Sequence, residues 1–185
     1  VSNITANECW LFLKRKPDFI TPNGFDSIIA PMDGEYDKVR SEARRLMLYV
    51  ASKMYNVDYP EDTVIIGISG RYEYKNKGID VFLDAVDKLK KEGWKGRKIL
   101  AFLMIPAGNN GPDKNLAAKL EGKGSENYKT YITHNLSNGE CDAILNRIRS
   151  FNFDPSKDDV SVAYVPTYLN GNDGIFNKSY YDILP

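Results

Sequence analysis

The segment Gly67-Ile-Ser-Gly-Arg71-Tyr-Glu-Tyr-Lys75-Asn-Lys77-Gly78 sets three cations among glycines, between an apolar run and an amphipathic one. Glycines let a ligand approach the backbone closely. The N-terminus of a following helix exposes unpaired N–H groups and a partial positive charge, both suited to phosphate. Arg71, Lys75 and Lys77 add formal charge at the same place. The segment is neither a Walker loop nor a dinucleotide fingerprint, because G-x-x-x-x-G-K-[ST] and G-x-G-x-x-G are both absent. From its residues it is a phosphate or pyrophosphate loop or, equally, a solvated basic loop. A second segment, Tyr164-Val-Pro-Thr-Tyr168-Leu-Asn170, runs into the Asn/Gly cluster 170–174, with Tyr180 beyond it. Tyr168 and Tyr180 could stack a flat base, although most of the chain's 12 tyrosines must simply pack core or surface. His134, the single histidine, reads as a structural polar residue with no Ser or Cys partner by motif. No Asp/Glu/His spacing suggests a metal site, and no cofactor is expected.

The elements that must position these residues follow from periodicity. Thr5-x-x-Glu8 has the form of a capping box before Trp10, Leu11 and Leu13, with Pro17 as the stop. Phe19-Ile20-Thr21 reads as extended and Pro22-Asn23-Gly24 as a turn. Val39, Ala43, Leu46, Met47, Val50 and Met54 form one apolar stripe on a helix over 37–55, with Arg40, Glu42, Arg44 and Arg45 pointing elsewhere. Residues 63–69 and 98–105 are continuous apolar runs, expected as parallel strands buried on both faces. Between them Ile79, Phe82, Leu83, Val86 and Leu89 define a helix with Asp80, Asp84, Asp87 and Lys91 outside, stopped by Gly93. Residues 107–129 read as loop with a short helix near Leu116–Leu120. Ser137-x-x-Glu140 has the form of a second capping box, opening a helix through Ile144, Leu145, Ile148 and Phe151. A strand over 160–165 and a helix from Ser179 complete the pattern. Such alternation predicts an α/β, doubly wound parallel sheet, whose ligands bind beyond the strands' carboxyl ends.

Composition narrows the function classes. The 185 residues carry 25 Lys+Arg and 25 Asp+Glu, so a general basic field for nucleic acid is excluded. Hydrophobic residues make up 42 %, enough for a packed core, yet no apolar run is long enough to span a membrane. Two cysteines and no signal peptide fit the cytoplasm. The chain opens at Val1 in a helical pattern and closes on an apolar stretch at Pro185, which reads as an excised piece of a longer protein.

Several motifs resemble glycogen synthase of the animal and fungal type, glycosyltransferase family 3. They are Val1-Ser-x-Ile-Thr-Ala, Leu13-Lys-Arg-Lys-Pro-Asp, Thr21-Pro-Asn-Gly24 and above all Ser69-Gly-Arg-Tyr-Glu-Tyr-Lys-Asn-Lys-Gly78. Ala101-Phe, Ile105-Pro-Ala107, Ile132-Thr-His-Asn135, Ile144-Leu-Asn-x-Ile148 and Pro166…Leu169-Asn170 continue the likeness in order. The resemblance implies a retaining, metal-independent enzyme of two Rossmann-like lobes (GT-B). Such an enzyme transfers glucose from UDP-glucose to the non-reducing end of an α-1,4-glucan such as glycogen. It implies that residues 1–25 end the first lobe and form the hinge, and that 26–185 belong to the C-terminal, donor-nucleotide lobe, truncated at its end. Arg71 and Lys77 match the family's donor-phosphate cations, and Tyr168 and Tyr180 its two aromatics at the base. The family's Tyr-Glu-Pro-Trp-Gly-Tyr-Thr-Pro segment is missing, so this chain alone is expected to be inactive. The short Gly108–Lys129 stretch stands where eukaryotic members carry a long helical insertion, which points to a prokaryotic member and leaves the oligomer open. Val165-Pro166 replaces the usual His-Pro pair, and glucose-6-phosphate control lies outside the chain. A related enzyme using ADP-glucose, or a non-catalytic sugar-nucleotide-binding module, are the alternatives.

Overall fold

A computed structural model describes residues 2–24, 26, 31 and 34–183. It comprises two compact units, Val1–Met32 and Asp33–Pro185.

The first unit holds α1 (Asn3–Leu13). Its cap is Ser2, not Thr5. Ser2 has the extended backbone a cap requires, and its side chain accepts from the Thr5 N–H at 3.2 Å. Thr5 itself already lies inside the helix. Termination also comes earlier than Pro17, at Lys14, which turns left-handed (φ 55°) and donates its N–H to the Trp10 carbonyl. Residues 19–24 carry no regular element, and the turn expected at Pro22-Asn23-Gly24 is not formed.

The second unit is built on a three-stranded parallel sheet. Its strands are β1 (Val64–Ser69), β2 (Ile99–Met104) and β5 (Val160–Tyr164), in the order β1-β2-β5. Register pairs Gly67 with Phe102 and Ala101 with Val162, so residues 65, 67, 69, 102 and 104 share one face and 99, 101, 160 and 162 the other. The helix α2 (Tyr36–Tyr55) covers the first face. Two helices, α3 (Ile79–Lys91) and α5 (Ala143–Ser150), lie on the second. Helices on both faces make this the expected doubly wound, Rossmann-like arrangement. In the centre, β2 is buried throughout. By contrast β1 is only partly covered, against the expectation of burial on both faces, whereas β5 at the other edge of the sheet is buried throughout. A continuous apolar run cannot distinguish a central strand from an edge strand.

The remaining differences are tertiary in origin. Residues 107–129 contain, besides α4 (Lys114–Leu120), a strand β3 (Asn109–Pro112) that pairs antiparallel with β4 (His134–Leu136). Neither strand has apolar alternation to announce it. The cap of α5 is Asp142, whose Oδ1 accepts from Leu145 N at 2.7 Å, so Ser137-x-x-Glu140 is not a capping box. Arg44 braces the chain entering β1 by donating from Nε to the Glu61 carbonyl at 2.9 Å. Asp87 is buried rather than outside, because α5 brings Arg147 against it at 3.1 Å. Finally α6 (Tyr180–Ile183) begins after Ser179, whose N–H and hydroxyl both donate to Asp182.

Candidate functional site

All three parallel strands end on the same side, and the connections that leave them there gather the residues singled out by sequence. After β1 the chain turns through Gly70 at φ 147°, a conformation that favours glycine, and reaches α3 through Gly78 at φ 66°. Gly78 caps α3 with no side-chain hydrogen bond of its own, and in the first turn the Asp80 amide donates to the Tyr74 carbonyl at 3.3 Å. Between these glycines the three cations have different fates. Lys75 is held by Asp80 at 2.7 Å, and its hydrogen bond keeps the Asp80 carboxyl below the usual carboxylate range. Arg71 meets Glu73 at 3.3 Å in an open surface pair, its side chain 82 % exposed. Lys77 is exposed and has no ion pair among the described residues.

The loop is anchored by a residue that sequence reasoning did not single out. The Tyr72 hydroxyl donates to Asp142 Oδ2 at 3.0 Å and accepts from Ile144 N at 3.4 Å, tying the loop to the N-terminus of α5. Burial, assisted by the neighbouring Asp142 charge, pushes the Tyr72 phenol up to about 12. Its partners lie some 70 residues away, so no local pattern could have revealed the role.

A cavity of about 360 Å³ opens between this loop and the segment after β5. That volume lies at the lower end of the range for small-molecule sites. Gly70, Arg71, Tyr72, Met104, Tyr168 and Tyr180 line it. Three of the four expected residues, Arg71, Tyr168 and Tyr180, therefore converge on one cavity; Lys77 is not among its walls. Tyr168 lines the cavity and is 61 % exposed. Tyr180 is half-buried, its amide donating to the Leu169 carbonyl at 3.0 Å and its phenol hydrogen-bonded to the Ser69 hydroxyl. A larger cavity of about 420 Å³ lies under α2, but none of the four expected residues lines it, and its Arg44 is already bound to backbone carbonyls.

His134 sits apart from the cavity, almost fully buried, with both ring nitrogens engaged. Nδ1 meets the Thr133 hydroxyl at 2.9 Å and Nε2 the Asp173 carbonyl at 2.8 Å. Burial lowers its pKa. That geometry agrees with a structural role. Among the described residues no cluster of His, Cys, Asp or Glu could hold a metal ion, and no helix is long and apolar enough to cross a membrane.

A parallel sheet wrapped on both faces, with cations, a helix N-terminus and aromatics at the carboxyl ends of its strands, defines a Rossmann-like lobe. The family model for glycogen synthase matches residues 1–123, and the chain belongs to that family. Glycogen [starch] synthase isoform 1 of Saccharomyces cerevisiae is 27 % identical over 97 % of the chain. The human liver glycogen [starch] synthase is 34 % identical over 60 %, and that of Neurospora crassa 33 % over 58 %. The chain spans about a third of the yeast protein's length, 35 %. The yeast alignment runs over 246 positions, more than the chain's 185 residues, so the yeast protein carries segments this chain lacks.

Proposed function

We propose that this chain supplies the donor-nucleotide half of a retaining glucosyltransferase that moves glucose from UDP-glucose to the non-reducing end of an α-1,4-glucan. The observation that carries the reading is the convergence of Arg71, Tyr168 and Tyr180 on one cavity at the carboxyl ends of β1 and β5, in a chain of the glycogen synthase family. The names of the yeast and human relatives support the glucan as acceptor.

In this reading the uracil lies against Tyr168 and Tyr180 at the cavity mouth. The diphosphate runs toward Arg71 and the N-terminus of α3. When the bond between C1 and the phosphate oxygen breaks, negative charge grows on that oxygen. Arg71 offers it a planar fork and Lys77 a point charge. Because the Arg71 side chain is 82 % exposed and, among the described residues, is ion-paired only with the half-buried Glu73, it can leave that partner at little cost. Lys77 would act from outside the cavity walls, once the donor draws the loop in. Residues 1–25 would form the hinge to a preceding lobe. The groups that position the acceptor would come from outside this chain, so by itself it binds donor without turnover. The free cysteines Cys9 and Cys141 suit the cytoplasm.

Calorimetric titration of the chain with UDP, ADP and UMP tests the reading. Binding of UDP in preference to both is expected. No binding of any of the three, or a preference for ADP, overturns the assignment of donor.

A further inference from the structure

The loop between Asn170 and Ser179 is the least regular part of the cavity's frame, yet its tip is among the more buried parts of the chain. Its two legs are joined by a single antiparallel bridge, Asn170 to Ser179, and by the Tyr180 amide bonded to Leu169. Those legs carry the cavity walls, Tyr168 and Leu169 on one side and Tyr180 on the other. Its tip, by contrast, is tucked away from the cavity. Asp173, Ile175 and Phe176 are all at most 7 % exposed. The Asp173 carboxylate accepts from the amides of Ile175, Phe176 and Asn177 at 2.7–3.0 Å, which makes the tip a preformed unit. Phe176 packs edge-on against Phe102 of β2.

What ties that unit to the rest of the fold in polar terms is His134, on β4. With Thr133 as the partner of Nδ1, the neutral ring presents Nε2–H to the Asp173 carbonyl, an acceptor in a site where an unpaired carbonyl would be costly. Around the ring, the charged groups are Asp173 from the loop and Asp113 from the cap of α4. The Asp113 carboxylate is occupied by Leu116 N and the Tyr128 hydroxyl.

We infer that His134 is a positioning residue for the nucleotide cavity: its Nε2–H bond to the Asp173 carbonyl pins the loop tip and thereby sets the separation of Tyr168 and Tyr180. The inference rests on the nucleotide reading for its ligand, but the pinning itself does not depend on it. His134 is buried and is not among the residues that line the cavity, so it makes no contact with a nucleotide bound there. It acts only through the loop.

Two substitutions separate the ring nitrogens. The amide of His134→Gln reaches as far as Nε2 and can still donate to Asp173. The amide of His134→Asn reaches only as far as Nδ1 and cannot. Hydrogen–deuterium exchange of residues 170–179 and calorimetric UDP binding are measured on both. His134→Gln is expected to match the parent within twofold. His134→Asn is expected to speed exchange of the loop amides at least tenfold, with β1, β2 and β5 unchanged, and to weaken UDP at least fivefold. If the two variants exchange alike, whether both fast or both slow, the pinning role falls. If they differ in exchange but bind UDP equally, the link to the cavity falls. Should the parent itself not bind UDP, the exchange comparison still decides the pinning, and it is the nucleotide reading that fails.

Discussion

The Ser69 hydroxyl and the Tyr180 phenol are hydrogen-bonded across 111 residues of chain, joining the end of β1 to the start of α6. The bond holds the Tyr180 ring as a wall of the cavity, whereas Tyr168 is 61 % exposed and has no side-chain hydrogen bond among the described residues. The two aromatics therefore arrive at a ligand with different freedom, and their substitutions should differ accordingly.

Tyr180→Ala is expected to weaken UDP several-fold, since an aromatic contact contributes about 0.5–1.5 kcal/mol beyond area burial. Tyr180→Phe keeps the ring and loses only the bond to Ser69, so it should stay within about threefold of the parent, equivalent to a neutral hydrogen bond of roughly 0.5–1 kcal/mol. Equal affinities for the parent and the alanine variant, in a folded protein, would remove Tyr180 from the site.

Arg71→Ala and Lys77→Ala, each made in the complete enzyme, test leaving-group stabilisation. Groups aimed at charge that develops only in the transition state act on kcat more than on KM. By analogy with a lost oxyanion-hole donor, each should lower kcat by roughly 10²–10³, or about 3–4 kcal/mol of barrier. Glu73→Gln removes the surface partner of Arg71 and should leave both kcat and melting temperature nearly unchanged, because exposed ion pairs contribute roughly 0–1 kcal/mol. Steady-state kinetics in which both cation variants keep kcat within a few-fold would refute the phosphate assignment.

Burial lowers the pKa of His134, so the folded chain binds this proton less readily than the unfolded chain. The sign follows from linkage: the contribution is complete above the unfolded value of about 6.5 and is lost as the pH falls from there toward the folded value. Urea melts at pH 7.5, 6.5, 5.5 and 5.0 should show stability declining below 6.5, and His134→Gln, which cannot titrate, should show a shallower decline. Parallel curves for the two proteins would mean that other groups carry the effect.

Asp87 and Arg147 supply a stability test away from the cavity. The Asp87 carboxylate is 5 % exposed and bonded to both Arg147 and Lys91, at 3.1 and 2.7 Å. Asp87→Ala removes a buried acceptor but leaves Arg147 partly exposed and still paired with Asp84 at 2.8 Å, so the cost should be about 1–3 kcal/mol. Asp84→Ala, whose carboxylate is 66 % exposed, should cost less than about 1 kcal/mol although it faces the same arginine. Thermal melts showing equal costs would contradict the role given to burial.

Much of this protein was legible in the residues themselves. The apolar runs at 64–69, 99–104 and 160–164 and the helical stripes at 36–55 and 79–91 are local patterns, and local patterns are what backbone geometry reads. The loop motif from Ser69 to Gly78 announced Arg71 as a candidate because a glycine–cation pattern is contiguous in the chain. Tyr168 and Tyr180 could be suspected from the residues and the resemblance but not located, since contacts such as the Asn170–Ser179 bridge, the Tyr180–Leu169 backbone bond and the bond to Ser69 bring them to one cavity. What remained for tertiary structure were the features whose energy lies in partners distant along the chain. Asp87 reads as a surface residue until α5 places Arg147 over it, and β3 has no apolar pattern because its stability comes from pairing with β4. Tyr72 and His134 are ordinary in sequence and become anchors only when Asp142 and Asp173 fold against them. A buried hydrogen bond is a property of two places brought together, and no single stretch of sequence carries both.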